Sequence, residues 1–76
     1  IVDKKVEAIE FIAKEGVSFL GVPLKNLKTK DNLLVAGIMR GNKLIVPSGD
    51  DFIQAGDSVI IVTTKSFLTS LEDILA

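Results

Sequence analysis

The side chains that most often perform catalysis are missing from this sequence, which contains no histidine and no cysteine. Histidine is the usual general acid or base near neutral pH, and cysteine is among the strongest nucleophiles in proteins. The serines lie outside any pattern that would activate a nucleophile, and the lysines are spread along the chain. The sequence therefore predicts a protein that binds and pairs rather than an enzyme.

Three aspartates, Asp50, Asp51 and Asp57, are close enough in sequence to suggest a site for a hard cation. Gly49 precedes the first two and Gly56 precedes the third. Aspartate is common in such turns because its carboxylate accepts hydrogen bonds from nearby backbone amides. We therefore interpret all three as turn residues and expect no metal site.

Arg40 is the one candidate for contact with a bound ligand. Its planar guanidinium could bind a phosphate or a carboxylate, although an arginine at the end of a strand is also commonly an exposed cap. The glycines do not form the Gly-x-Gly-x-x-Gly phosphate loop, which requires a strand before it and a helix after it. The sequence therefore predicts no dinucleotide site, and the cofactor-binding residues stay unknown.

The elements that must position these residues belong to one small domain. A chain of 76 residues can build only one thin hydrophobic core, so we expect a single domain over residues 1–76. Apolar residues make up 47% of the chain, more than such a core can bury, which favours contact with a second copy. The chain begins at Ile1 without an initiator methionine or a signal sequence, so we interpret it as part of a longer protein.

The charge and hydropathy of the chain argue against nucleic acid and the membrane interior as binding partners. The net charge is −1 with lysines and acids interspersed, and tryptophan and tyrosine are absent, so we expect no nucleic-acid partner. No apolar run approaches the ~20 residues that cross a bilayer, which predicts no direct membrane insertion. The lack of cysteine fits a cytoplasmic location.

The first half of the chain predicts two strands and a short helix. Val6–Ala13 alternates imperfectly and also has helical spacing, but its β-branched content and the following Gly16 favour a strand. Pro23 is suited to the first turn of a short helix over Leu24–Leu27. Leu33–Met39 is apolar without alternation, which is typical of a strand covered on both faces.

The second half predicts a hairpin, a strand and a helix. Gly41-Asn42 suits a two-residue turn that pairs Leu44–Val46 antiparallel with the preceding strand, and Pro47 marks a strand end or a sheet edge. Ser58–Thr64 is strongly β-branched. Ser66 could cap a terminal helix with an inward stripe of Phe67, Leu68, Leu71, Ile74 and Leu75. The predicted fold class is α+β, with a mostly antiparallel sheet, a short helix and this terminal helix across the sheet.

The apolar run also supplies the candidate interface. One of its faces could be covered by the chain itself or by a second copy, and the apolar excess favours the second copy. The interface candidates are Leu33, Leu34, Val35 and Ile38.

Five short segments, in this order, resemble the TrkA C-terminal domain family, also called the RCK C-terminal domain. The segments are Glu7–Phe11, Gly21–Leu27, Leu34–Asn42, Leu44–Pro47 and Ile53–Val62. Together they span nearly the whole chain. The family's Gly-Asp motif matches Gly56 and Asp57, and its hairpin arginine matches Arg40.

The resemblance implies a cytosolic regulator at the inner face of the membrane, acting on a membrane-embedded potassium transporter or channel. A nucleotide-binding domain normally precedes this module, members tend to pair as homodimers, and some bind small effectors such as cyclic di-adenosine monophosphate. The same module is appended to other transporters and antiporters, so a ligand-sensing appendage without a potassium connection is the alternative.

Overall fold

An antiparallel sheet of four strands forms the centre of the computed structural model, which describes residues 5–64 and 68–76. The strands are β1 (Glu7–Ile12), β2 (Leu33–Arg40), β3 (Lys43–Ile45) and β4 (Ser58–Thr63). Their order across the sheet is β1-β4-β2-β3, and every pair of neighbours is antiparallel. The predicted antiparallel sheet is therefore confirmed, with the last strand in sequence lying between β1 and β2.

Alternating burial explains why β4 occupies the centre. Val59, Ile61 and Thr63 are buried on one face, whereas the residues between them are half-buried on the other. β1 pairs with β4 from Glu7 opposite Thr63 to Ile12 opposite Ser58, which confirms the strand interpretation over the helical one. The sheet therefore has a core face and an outer face, and residues 5–64 and 68–76 cover only the core face.

The hairpin between β2 and β3 follows the predicted two-residue turn. Arg40 lies opposite Lys43, and Gly41 has a φ of 61°, in the left-handed region as expected, whereas Asn42, also expected there, does not have a positive φ. β3 is an edge strand that ends at Ile45, two residues before Pro47. The prediction that Pro47 marks a strand end or an edge is confirmed.

The short helix is a single 3₁₀ turn, Leu24–Asn26, directly after Pro23. The backbone amide of Leu24 donates to Asp51 O at 2.9 Å, and that of Lys25 donates to Gly49 O at 2.9 Å. These bonds hold the turn against the loop that follows β3.

The predicted terminal helix is not found in the described residues, where the C-terminal segment contains only the 3₁₀ turn Leu71–Ile74. Ser66 and Phe67, the predicted cap and first stripe residue, lie outside the described residues. Leu75 is extended and bridges Thr29, while the backbone amide of Lys30 donates to Ile74 O. Pairing with residues 28–30 takes the backbone groups that a longer helix would have used.

One hydrophobic core lies between the core face, the loops and this second 3₁₀ turn. Leu71 and Ile74 are buried in it, so the predicted inward stripe is correct at these two positions. The buried apolar residues are Ala13, Phe19, Ile38, Ile53, Val59, Ile61, Leu71 and Ile74. Within the described ranges, no helix has the length and hydropathy needed to cross a membrane.

Candidate functional site

Arg40 and Asp57 form a bidentate ion pair between the end of β2 and the start of β4. Arg40 Nε donates to one carboxylate oxygen of Asp57 at 3.0 Å, and Nη2 donates to the other at 2.9 Å. Nη2 also donates to the backbone oxygen of Phe52, whose ring centroid lies 5.7 Å from the guanidinium carbon. The Asp57 side chain is 2% exposed and that of Arg40 is 33% exposed. The pair therefore ties the hairpin to the loop before β4.

Hydrogen bonds favour the charged form of both partners. The bond from Arg40 lowers the pKa of Asp57, and the backbone amide of Gln54 lowers it further, while burial acts in the opposite direction. The same bond to Asp57 raises the pKa of Arg40. The fork of Arg40 is thus occupied inside the chain, which gives the residue a structural role and leaves little of it to hold a ligand.

Acid is expected to weaken the fold through Asp57. Because the pKa of its carboxyl is lower in the folded chain than the ordinary value of 3.8, the unfolded chain binds the proton first as the pH falls. The stabilisation is complete above about pH 5 and is lost as the pH falls through the lowered folded pKa. Urea unfolding at a series of pH values should show the gap between the unmodified chain and Asp57→Asn closing in acid, whereas a constant gap would contradict this account.

The other two aspartates are turn residues, as predicted. Asp51 accepts hydrogen bonds from the backbone amide and the hydroxyl of Ser48, and Asp50 pairs with Lys25 at 2.6 Å on the exposed surface. Among the described residues, no group of three or more acidic side chains is arranged to hold a metal ion.

The outer face of the sheet is apolar and not covered by the described chain. Its residues are Ala8, Glu10, Ile12, Leu34, Gly37, Met39, Leu44, Ser58, Ile60 and Val62. Leu34 is 57% exposed, Leu44 is 58% exposed and Ile12 is 57% exposed. Glu10 is the only charged member, and it accepts a hydrogen bond from the Ser58 hydroxyl. The prediction that β2 is covered on both faces therefore fails within a single copy, since Leu34 is open.

A groove of about 290 Å³ adjoins the outer face at the start of β2. The 3₁₀ turn positions its first wall, β2 its floor and the segment after β3 its second wall. It is lined by Leu24, Thr29, Leu33, Leu34, Val35, Pro47, Ser48 and Gly49. We call it the Leu34 groove. Its lining is mostly apolar, with Thr29 and Ser48 as the polar side chains.

The structure separates the four interface candidates. Leu34 is exposed on the outer face, whereas Leu33 and Val35 are half-buried against the core and also line the Leu34 groove. Ile38 is 0% exposed and belongs to the core, because the backbone irregularity between Val35 and Gly37 turns it to the core face. Ile38 therefore offers no surface to a partner in this conformation.

Sequence reasoning did not anticipate two parts of the site. Arg40 and Asp57 were each recognised, but no local pattern indicated that they pair with each other. The sequence indicates only a strand end at Pro47 and a turn at Ser48 and Gly49, yet all three residues line the Leu34 groove. The mixture of proline, serine and glycine after an apolar strand was the one available signal.

Comparison with known proteins places this arrangement in a family. The family model described as the TrkA-C domain matches residues 8–76. The Trk system potassium uptake protein TrkA homolog 2 of Methanosarcina mazei is 31% identical over 70 residues, covering 92% of this chain and 16% of the relative. The K(+)/H(+) antiporter NhaP2 of Shewanella oneidensis is 29% identical over 70 residues, covering 92% of this chain and 12% of the antiporter.

A solved structure shares the fold. The chain described as "Structure of RCK domain with cda" superposes with a TM-score of 0.70 at 24% identity, covering 91% of this chain and 97% of that one. The chain spans less than one-fifth of the length of the two relatives named above, so it corresponds to one part of each. With the family model matching all but the first seven residues, this chain belongs to the TrkA-C domain family.

Proposed function

We propose that this chain is the ligand-sensing, self-pairing regulatory domain of a potassium uptake or channel protein, and that it binds rather than catalyses. Membership in the TrkA-C family and the resemblance to potassium uptake proteins support the potassium connection. The observation that carries the proposal is the uncovered apolar outer face with the Leu34 groove beside it. In the full protein, the domain would lie in the cytoplasm and reach the membrane through its transporter or channel partner.

The mechanism follows from the position of the groove. A second copy packed on the outer face would cover Leu34, so the Leu34 groove would open at the rim of the pair. An effector in the groove could then contact both copies and would favour the arrangement to which it binds more tightly. A small nucleotide effector such as cyclic di-adenosine monophosphate is the proposed class.

Self-pairing is tested by adding a charge to the outer face. Leu34→Glu is expected to weaken dimer formation by at least tenfold, since a carboxylate buried between two apolar faces must lose about 1.4 kcal/mol or more of its hydration. Sedimentation velocity over a wide concentration range measures the dissociation constant. Ala55→Glu, which places the same charge in an exposed turn away from the outer face, is the matched control.

Two results would count against pairing through this face. One is an unmodified chain that remains monomeric at high concentration, and the other is equal dissociation constants for Leu34→Glu and Ala55→Glu. Effector binding is tested separately by thermal unfolding with cyclic di-adenosine monophosphate and with adenosine monophosphate. A ligand that binds only the folded chain raises the unfolding temperature, whereas no shift with either would leave a purely structural pairing domain.

The resemblance to NhaP2 favours one alternative, a ligand-sensing appendage of an antiporter. The sequence encoded before Ile1 separates the two functions. A nucleotide-binding domain there supports the potassium regulator, and a series of membrane spans supports the antiporter.

A further inference from the structure

The outer edge of β1 carries backbone groups that nothing in the described chain satisfies. The amide of Ala13 donates to Asp57 O at 2.8 Å, so Ala13 faces β4. In an antiparallel ladder, alternate residues point their backbone groups to opposite sides. The amides and carbonyls of Ala8, Glu10 and Ile12 therefore point away from β4, and all three residues are exposed.

The two edges of the sheet differ in how they are protected. Natural sheets protect edges by keeping the edge strand short or by placing proline and lysine on it. β3 has only three residues, begins at Lys43 and is followed two residues later by Pro47. β1 has six residues, contains no proline, lysine or bulge, and is charged only at Glu7 and Glu10. β1 is therefore the longer edge, open to a strand whose charges complement these two glutamates.

A second groove, of about 370 Å³, runs beside this edge near its C-terminal end. Phe11, Ile12, Val17 and Leu71 supply its apolar lining, and Lys14 and Glu72 are among its charged residues. The hydroxyl of Ser18 donates to the Glu72 carboxylate at 2.7 Å. A strand added to β1 would direct alternate side chains toward the core side, so one apolar side chain could enter this groove.

Charge decides which strand fits. Glu7 and Glu10 are exposed on opposite faces of β1. Antiparallel pairing of two copies about Ala8 or Ile9 would place Glu7 beside Glu7, or Glu10 beside Glu10, on the diagonal positions where like charges repel. A strand bearing lysine or arginine at these positions would instead form favourable cross-strand pairs.

We infer that the β1 edge is a docking site for an extended basic segment of another protein, which adds to the sheet as a fifth strand. Main-chain hydrogen bonds to Ala8, Glu10 and Ile12 supply the affinity. The two glutamates select basic side chains, and the groove beside Leu71 selects an apolar one. This site lies at the opposite edge of the sheet from β3 and does not include the Leu34 groove.

The test uses the chain and a short synthetic peptide in which lysine alternates with valine and leucine. NMR should show the largest amide shifts at Ala8, Glu10 and Ile12, together with slower hydrogen exchange at these three amides when the peptide is bound. A peptide with glutamate in place of lysine, and one with proline in place of valine, should both bind at least about fivefold more weakly.

Glu7→Lys, which changes an exposed charge of β1 that is not part of the outer face, should weaken binding of the lysine peptide by about fivefold or more, whereas Glu15→Lys, the same change in an exposed turn, should not. Equal binding of the lysine and glutamate peptides, no binding at all, or shifts centred on Leu34 would overturn the inference. Protection of the β1 amides that grows with protein concentration, without peptide, would assign the edge to a second copy and would also overturn it.

Discussion

Asp57→Asn is expected to lower the free energy of unfolding by about 2–3 kcal/mol, because the buried Asp57 position loses the charge that pairs with Arg40. The two hydrogen bonds from Arg40, at 3.0 and 2.9 Å, and the one from the Gln54 amide at 2.8 Å all end on the Asp57 carboxylate. Asparagine keeps the shape but offers one acceptor oxygen and no charge. The expected loss is below that of a fully buried pair since the Arg40 side chain is one-third exposed and can regain some hydration.

Urea unfolding near neutral pH measures this effect, and Asp50→Asn is its matched control. Asp50 also pairs with a cation, Lys25, but both side chains are mostly exposed, so the urea midpoint should hardly move. Equal midpoints for Asp57→Asn and Asp50→Asn would contradict the role given to the buried pair. In the double variant Arg40→Met with Asp57→Asn, part of the lost stability should return, because no unpaired charge remains.

The parts of the fold that the sequence predicted correctly are those specified by local patterns. The Gly41-Asn42 turn predicts its hairpin because two adjacent residues that tolerate positive φ connect two apolar runs. The β-branched run of β4 predicts a strand because such residues prefer extended backbone. The alternating burial along β4 agrees with this prediction. In both cases, the information lies within a few residues of the element.

The terminal helix was predicted wrongly because its outcome depends on distant residues. Leu71 and Ile74 have helical spacing and are buried as expected, but the backbone beyond them bonds to residues 28–30. The Asp73 carboxylate also accepts bonds from the amides of Thr69 and Ser70, which favours a tight local turn. Tertiary pairing therefore overrides a helical pattern that is only one or two turns long.

The candidate site was only partly visible in the sequence for the same reason. The Leu34 groove combines residues from the first 3₁₀ turn, from β2 and from the segment after β3. Only its Leu33–Val35 floor lies in a run that the sequence marked as an interface. The outer face also depends on the irregularity between Val35 and Gly37, which turns Ile38 toward the core. No residue pattern in β2 predicts this irregularity.

Ile38→Ala and Leu34→Ala test the two faces of β2, and we expect the first to weaken folding and the second to weaken pairing. Ile38 is fully buried, so removing its outer carbons leaves a cavity and should lower the free energy of unfolding by about 3 kcal/mol. A 76-residue chain has a total of roughly 4–11 kcal/mol, so this loss removes a large share of it.

Leu34 is more than half exposed in one copy, so its truncation should change unfolding little at low protein concentration and should weaken pairing at high concentration. Urea unfolding of dilute protein and sedimentation of concentrated protein give the two readouts. If Leu34→Ala destabilised the dilute chain as much as Ile38→Ala, the outer face would be covered by the chain itself. A second copy could then not pack on that face, because a leucine that is covered within one copy cannot contact a partner.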